Sequence, residues 1–277
     1  MDDVAAVCLN TDFEKMSSPS PANALERKNL TYETKFLVDE TAAEAALAWA
    51  RQHLIIDPHV KSSKDIYSVT SVYLDTRALH TYQRNGSYAR SKFRVRRYGD
   101  ERAVFLERKM KTRGIVGKQR VKVAEHEVDL LAERAADPDW VGFWFHRRIL
   151  LRRVVPQCQI AYDRVARVGE SAEGPIRFTL DRNVRAWETD KWNFCGLEGG
   201  LPVLNGHAIL ELKYQRSLPA AFKQLISDLG IKAQSVSKYR LSISALGLAE
   251  RHGLVKKPKP DGTKDAHPAA DGDADLD

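Results

Sequence analysis

Cysteine is scarce in this 277-residue sequence, where Cys8, Cys158 and Cys195 lie far apart and form no C-x-x-C pair. The spacing favours reduced thiols in a cytoplasmic protein. No apolar run approaches the ~20 residues that a membrane-spanning helix needs, so no transmembrane segment is expected. The first residues, MDDVAAVCLNTDFEK, are acidic where a secretory signal would be basic, which predicts no signal peptide.

Charge is the more informative feature of the composition. Lys and Arg number 44 against 37 Asp and Glu, a net charge of +7, and the excess is concentrated in residues 84–122. Such a concentration of positive charge favours an anionic partner. Basic strands of this kind also bind nucleic-acid backbones. The chain lacks the aromatic ladder on which single-strand binders stack bases, so nucleic acid is not the expected partner.

The two ends of the chain differ in composition from its middle. Residues 17–23, SSPSPAN, are rich in Ser and Pro, and residues 256–277 show no apolar periodicity. Segments of this composition cannot bury a core. The sequence therefore predicts disordered tails at residues 1–27 and 251–277 around one folded domain at residues 28–250.

Charged residues alternate with apolar ones along a predicted hairpin, SKFRVRRYGDERAVFLERKMK, at residues 91–111. Alternate side chains of a strand point to opposite faces, so Lys92, Arg94 and Arg96 share one face and Phe93 and Val95 share the other. The same alternation marks other segments: Glu33 and Lys35, Glu107 and Lys109, Lys118 and Arg120, Arg164, Arg177, and Glu211 and Lys213.

The predicted fold is α+β, an antiparallel eight-stranded β-barrel with peripheral helices. Two strands lie in residues 91–111, and the others are residues 30–38, 67–74, 115–123, 159–168, 175–181 and 208–214. Helices are predicted at residues 41–53, 76–83, 127–135, 141–151, 219–229 and 238–248. A closed barrel is the simplest arrangement, because it leaves no exposed strand edge.

The charged face of this barrel has two interpretations. It is either a solvated outer surface or the wall of a wet tunnel whose apolar outside packs under the amphipathic helices. Buried like charges repel one another unless an anion fills the tunnel. A tunnel of this kind would suit polyanionic phosphate, and carboxylates among its bases would hold a divalent metal.

Eight segments together resemble the VTC (vacuolar transporter chaperone) domain, the polyphosphate polymerase branch of the triphosphate tunnel metalloenzymes. In chain order they are YETKFLV at Tyr32–Val38, YSVTSVYLDT at Tyr67–Thr76, KFRVRRYG at Lys92–Gly99, FLERK at Phe105–Lys109, YDR at Tyr162–Arg164, IRFTLDRNV at Ile176–Val184, ILELKY at Ile209–Tyr214 and SKYRL at Ser237–Leu241. The resemblance spans roughly residues 30–247, and its specificity lies in the ordered set rather than in any one motif.

The resemblance implies a tunnel barrel with a C-terminal plug helix. It also implies transfer of the ATP γ-phosphate onto polyphosphate with Mn²⁺ or Mg²⁺, and ATP, triphosphate, polyphosphate and pyrophosphate as partners. The implied phosphate-binding residues are Lys35, Arg94, Arg96, Lys109, Lys118, Arg164, Arg177 and Lys238. Among these, Arg94, Arg96, Lys109 and Lys238 are the implied catalytic residues. Glu211 is the implied metal ligand, with Glu33 and Glu107 as further candidates.

Each of these residues also has a structural interpretation. Lys35, Lys109 and Lys118 fit solvated strand lysines, Arg164 and Arg177 fit partners of Asp163 or Asp181, and Glu211 fits a partner of Lys213. Glu33 and Glu107 fit salt bridges to neighbouring bases. Two other functions remain open, a tunnel hydrolase that cleaves triphosphate or nucleoside triphosphates and a non-catalytic polyphosphate-binding protein.

Overall fold

The computed structural model describes residues 31–58, 65–99, 101–112 and 115–254. The predicted N-terminal tail, residue 30 of the first strand, Asp100 of the hairpin turn and residues 255–277 of the C-terminal tail lie outside the described residues. The domain boundaries at residues 28 and 250 therefore stay a prediction.

A large antiparallel sheet of ten strands forms the body of the protein. The strands are β1 Tyr32–Val38, β2 Ile55–Ile56, β3 Ile66–Asp75, β4 Ser91–Tyr98, β5 Ala103–Thr112, β6 Ile115–Ala124, β7 Val155–Ser171, β8 Gly174–Glu188, β9 Leu201–Pro202 and β10 Ala208–Tyr214. Their order in the sheet is β1-β10-β8-β7-β3-β4-β5-β6, and the short strands β2 and β9 pair with β7 and β8 respectively. The eight predicted strands are confirmed, and β7 and β8 are longer than the alternation indicated.

The two edge strands, β1 and β6, lie near each other but are not joined by backbone pairing in the part of the chain that the structure describes. A side-chain contact crosses the seam instead. Lys109 Nζ on β5 lies 2.8 Å from Glu33 Oε2 on β1. The predicted α+β antiparallel tunnel fold is confirmed, but the sheet has ten strands rather than eight, and among the described residues no backbone pairing closes it.

Helices surround the sheet: α1 Glu40–His53, α2 His80–Gln83, α3 Phe143–Arg152, α4 Ala220–Asp228, α5 Lys238–Ala245 and α6 Leu248–Arg251. The predicted helix at 127–135 is a 3-10 segment, Glu125–Ala132, and a second such segment spans Gly86–Arg90. The Glu127 carboxylate accepts bonds from the Ala124 N–H and the Trp140 indole, which ties this turn to the loop after it. No helix among the described residues is both long and apolar enough to cross a bilayer.

The outer face of the sheet is apolar and lies under the helices. Phe178 and Leu210 pack with Leu47 of α1 and Phe222 of α4. A second cluster joins the buried apolar residues of β4 and β5 to α3, with Phe93, Val95, Leu106, Phe145 and Ile149 among its members. Burying each large apolar side chain contributes roughly 1.5–3 kcal/mol. Of the two interpretations of the charged face, the solvated outer surface is wrong.

Helix α5 packs inside one end of the barrel. Its Tyr239 and Ile243 join a buried cluster with Ile160 of β7, Val184 of β8 and Ile209 of β10. The Tyr239 hydroxyl donates a 2.6 Å hydrogen bond to Asp75 Oδ2 at the end of β3. Helix α5 is therefore the predicted plug helix, and apolar packing and this buried hydrogen bond help to hold it in place.

Candidate functional site

A cavity of about 1440 Å³ lies within the barrel, and its wall is strongly basic. Every predicted site residue except Glu107 lines it: Glu33, Lys35, Arg94, Arg96, Lys109, Lys118, Arg164, Arg177, Glu211 and Lys238. The bases come from seven strands and from the plug helix. The structure thus brings together residues that are spread over 206 sequence positions, from Glu33 to Lys238.

Strand register explains why charges of opposite sign meet on this wall. Directly opposed residues on one face of an antiparallel pair have their Cβ atoms about 4.5–5.5 Å apart and interact. Five such opposed pairs at this wall combine a base and an acid: Lys35 with Glu211, Lys213 with Glu33, Arg94 with Glu107, Arg120 with Glu107, and Arg164 with Asp181.

The first charge cluster joins two carboxylates and three lysines. Lys35 Nζ lies 2.8 Å from Glu33 Oε1 and 2.7 Å from Glu211 Oε2. Lys213 Nζ lies 2.8 Å from Glu211 Oε1, and Lys109 contacts Glu33 across the seam. Burial alone would raise the pKa of Glu211, but Lys213 and Lys35 hold that pKa well below its ordinary value. Burial and Glu211 raise the pKa of Glu33, but Lys109, Lys35 and Lys213 lower it more, so both carboxylates are ionised.

The second cluster surrounds Glu107, whose side chain is fully buried behind the cavity wall. Arg94 Nε donates a 2.7 Å hydrogen bond to Glu107 Oε2, and Lys118 Nζ lies 3.5 Å from Glu107 Oε1. Arg96 Nη1 lies farther from Glu107, at 3.9 Å, and Arg96 donates to the hydroxyls of Ser71 and Tyr162. Burial raises the pKa of Glu107, but Arg94 and Arg96 lower it more, so Glu107 carries a charge.

The third cluster connects the barrel to the plug helix through Asp181, which has no exposed surface. Arg164 donates two hydrogen bonds to its two oxygens, at 2.5 and 2.7 Å, and Lys238 of α5 contacts Oδ2. Lys238 Nζ also lies 4.6 Å from the centre of the Tyr162 ring. Against the effect of burial, Arg164 and Lys238 lower the pKa of Asp181 to about 2.

Some of the structural ion pairs that the sequence suggested are present, and others are not. Arg164 pairs with Asp181, as the sequence suggested, but Arg177 pairs with Asp57, 2.7 Å from its Oδ2, which the sequence did not indicate. Glu211 does pair with Lys213, and with Lys35 as well. The expectation that the buried bases simply repel one another is wrong, because most of them have a carboxylate partner.

Sequence reasoning left several wall residues out of the site. Lys92 and Lys213 line the cavity, and alternation had already placed them on the faces of Arg94 and Glu211. The wall also includes Tyr73, Tyr162 and Ser237, which lie in three of the eight quoted segments but were given no role in the sequence analysis. Burial would raise the pKa of Tyr73, but Arg94, Arg96 and Lys238 lower it to about 7.

The family model of the VTC domain matches residues 30–247. The chain belongs to the VTC domain family. The family supports a function related to polyphosphate or triphosphate and implies a divalent metal. No curated protein sequence matches the chain.

Solved structures similar to this VTC domain are remote in sequence. The PH1819 protein from Pyrococcus horikoshii OT3 is 11% identical, with a TM-score of 0.43 over 77% of this chain and 99% of the other. A Hippeastrum protein described as having a dominant triphosphatase activity is 14% identical, with a TM-score of 0.40 over 82% of this chain and 97% of its own. Likenesses at such TM-scores carry no argument about function.

Glu33 and Glu211 fit the metal that the family implies. Both present carboxylate oxygens, which Mg²⁺ and Mn²⁺ prefer as ligands, and the Lys35 ammonium between them shows that the place suits a positive charge. Within the described residues, no group of three or more His, Cys, Asp or Glu gathers that could hold a metal alone. Phosphate oxygens and water would have to complete the coordination. Glu107 does not line the cavity, which argues against its role as a ligand.

Proposed function

We propose that this protein is an ATP-dependent polyphosphate polymerase. It transfers the γ-phosphate of ATP onto the end of a polyphosphate chain inside the tunnel, with Mn²⁺ or Mg²⁺. The observation that carries the proposal is the convergence of bases from seven strands and the plug helix on one cavity that also presents a carboxylate pair. Family membership supports the substrate class.

Phosphate binding follows from the chemistry of the wall. Guanidinium groups hold phosphate oxygens through two parallel hydrogen bonds, and ammonium groups act as mobile point charges. Lys35, Lys109 and Lys118 are partly exposed to the cavity, with side-chain exposures of 23, 28 and 40%. They are the bases placed to reach an incoming phosphate. In our proposal, the arginines Arg94, Arg96, Arg164 and Arg177 and the plug lysine Lys238 complete the binding wall.

Phosphoryl transfer needs little covalent chemistry from the protein. A terminal oxygen of the polyphosphate attacks the γ-phosphorus, the bond to the β,γ-bridging oxygen breaks, and ADP leaves with that electron pair. Arg94, Arg96, Lys109 and Lys238 are the proposed catalytic residues, because positive groups fixed before the reaction stabilise charge as it develops on the transferred phosphoryl group. Their carboxylate and hydroxyl partners hold them in place.

Glu211 is the proposed metal ligand, with Glu33 beside it. A bound divalent cation would supply neutralisation of phosphate oxygens. Lys35 and Lys213 contact the same carboxylates, so an arriving phosphate that attracts these ammonium groups would free oxygens of Glu211 for the cation.

We also place the protein in the cytoplasm, in keeping with its two free cysteines among the described residues.

Incubation of the purified protein with ATP and Mn²⁺, followed by gel electrophoresis of the products, tests the proposal. A ladder of long polyphosphate chains is the expected result. Release of inorganic phosphate without chains would assign the tunnel to a hydrolase. Binding of polyphosphate with no turnover of ATP would indicate a non-catalytic polyphosphate-binding protein. Either of these two results would contradict the proposal of a polymerase.

A further inference from the structure

Three lysines stand side by side across the strands β4, β5 and β6. Lys92 is directly opposed to Lys109, and Lys109 is directly opposed to Lys118. All three line the tunnel cavity. Like charges that face each other directly across a sheet destabilise it, so each member of the row needs a negative neighbour.

Two of the three lysines have such a neighbour. Lys109 Nζ lies 2.8 Å from Glu33 Oε2, and Lys118 Nζ lies 3.5 Å from Glu107 Oε1. Lys92 Nζ instead donates a 2.8 Å hydrogen bond to the neutral Ser237 Oγ. Among residues that the structure describes, no carboxylate oxygen lies within 4 Å of the Lys92 ammonium.

The other surroundings of Lys92 are also unfavourable for an ammonium group. Ser237 is the N-cap of helix α5, and the N-terminal end of a helix carries a partial positive charge. Burial lowers the pKa of Lys92, Tyr73 opposes this effect, and the charges of Lys109, Lys35 and Arg84 add to it, so that the pKa is about 8. Lys109, Lys35, Arg84 and the start of α5 thus make this position electropositive, only Tyr73 acts against them, and no carboxylate among the described residues pairs with Lys92. A phosphate group would supply that pairing.

We propose that Lys92, oriented by the Ser237 hydroxyl, binds one phosphate group of the polyanionic substrate at the end of the tunnel that α5 closes. This inference rests on the proposed function for its ligand class. It adds a binding residue beside the plug helix whose ammonium group has no carboxylate partner among the described residues.

Calorimetry with tripolyphosphate in EDTA tests the inference on the full-length protein. The variants are Lys92→Met, which keeps length and removes charge, and Lys92→Arg, which keeps charge. Lys223→Met is the matched control, because Lys223 is exposed on α4 and outside the cavity. We expect Lys92→Met to weaken binding by about tenfold or more, the usual effect of losing one charge-assisted hydrogen bond. Lys92→Arg and Lys223→Met should bind as the wild type does.

Thermal unfolding without ligand separates binding from folding. Lys92→Met should melt no lower than the wild type, because the charge that it removes has no anionic partner. Wild-type affinity in Lys92→Met would overturn the inference and leave the proposed function standing. Equal loss of affinity in Lys92→Met and Lys92→Arg, with lower melting temperatures, would make Lys92 a structural residue. A wild-type protein that does not bind tripolyphosphate would overturn the proposed function itself.

Discussion

The Lys35 ammonium lies 2.7 Å from Glu211 Oε2 inside the tunnel, and the two residues are directly opposed on strands β1 and β10. The phosphate-binding base and the metal ligand of our proposal are therefore ionic partners of each other in the ligand-free protein. A phosphate competes with Glu211 for Lys35, and a metal competes with Lys35 for Glu211. Removing one partner should accordingly have opposite effects on the binding of anions and of cations.

Glu211→Gln tests this relationship through activity and binding together. We expect ATP turnover in Mn²⁺ to fall by about a thousandfold, because the charge stabilisation from a catalytic metal is worth several kcal/mol. Tripolyphosphate binding in EDTA should survive or tighten, since Lys35 and Lys213 lose a competing anion. Lys35→Ala and Lys118→Ala should weaken binding itself. If Glu211→Gln binds as poorly as the lysine variants, Glu211 is a structural residue.

Arg94→Ala should lower the stability of the fold as well as remove activity. Glu107 is fully buried and would keep only Lys118 and the more distant Arg96 as positive neighbours. Removing one partner of a buried ion pair costs about 3–5 kcal/mol, and we expect the lower end of that range. Urea unfolding measures the change.

An arginine three positions along the same strand provides the control for that experiment. Arg97 pairs with Glu125, with side-chain exposures of 23 and 36%, so Arg97→Ala should cost no more than about 1 kcal/mol. The double variant Arg94→Ala/Glu107→Gln should be more stable than Arg94→Ala, since it also removes the buried carboxylate that Arg94→Ala deprives of its nearest positive partner. Equal losses in Arg94→Ala and Arg97→Ala would show that Glu107 does not depend on Arg94.

The stability of the ligand-free protein should depend on pH through Lys92. Its pKa is about 8 in the folded protein and about 10.5 ordinarily, so between these values the folded state binds fewer protons than the unfolded state. Stability then rises with pH across this window, and the unfavourable contribution of Lys92 is full only below pH 8. Lys92→Met should be more stable than the wild type at pH 7, and urea unfolding should show the difference shrinking toward pH 10. A difference that is constant with pH would mean that Lys92 does not titrate there.

The basic wall of the cavity also predicts that tripolyphosphate strongly stabilises the folded protein. Tripolyphosphate at a hundred times its dissociation constant should stabilise the fold by about 2.7 kcal/mol, because it binds the native state alone. Added salt should weaken the effect, since part of the attraction is screened. Differential scanning fluorimetry with sulfate at equal ionic strength is the control. A shift as large with sulfate as with tripolyphosphate would indicate nonspecific anion binding.

The alternation of charged and apolar residues was enough to predict the sheet and to predict which residues of each strand share a face. Phe93 and Val95 are buried under α3 while Arg94 and Arg96 face the lumen, as the pattern indicated. The alternation could not decide which face was outside, because a charged face suits either water or a wet tunnel. That choice depends on the helices that cover the apolar face, which are known only in three dimensions.

The sequence did not show which residues of neighbouring strands are directly opposed in the site. Nothing in the segments around Lys35 and Glu211, 176 positions apart, indicates that the two residues are opposed. The partner of Arg177 is Asp57, which precedes the strand β3 by several residues and belongs to no predicted element. Ion-pair partners depend on strand pairing and loop paths, so the number of paired bases could not be predicted.

Transfer of label from γ-labelled ATP to tripolyphosphate in Mn²⁺ tests the central claim most directly. A polymerase should place the label in tetrapolyphosphate and then in longer chains, and Arg96→Ala should lose this transfer. Label that appears only as orthophosphate, with tripolyphosphate unextended, would contradict the account.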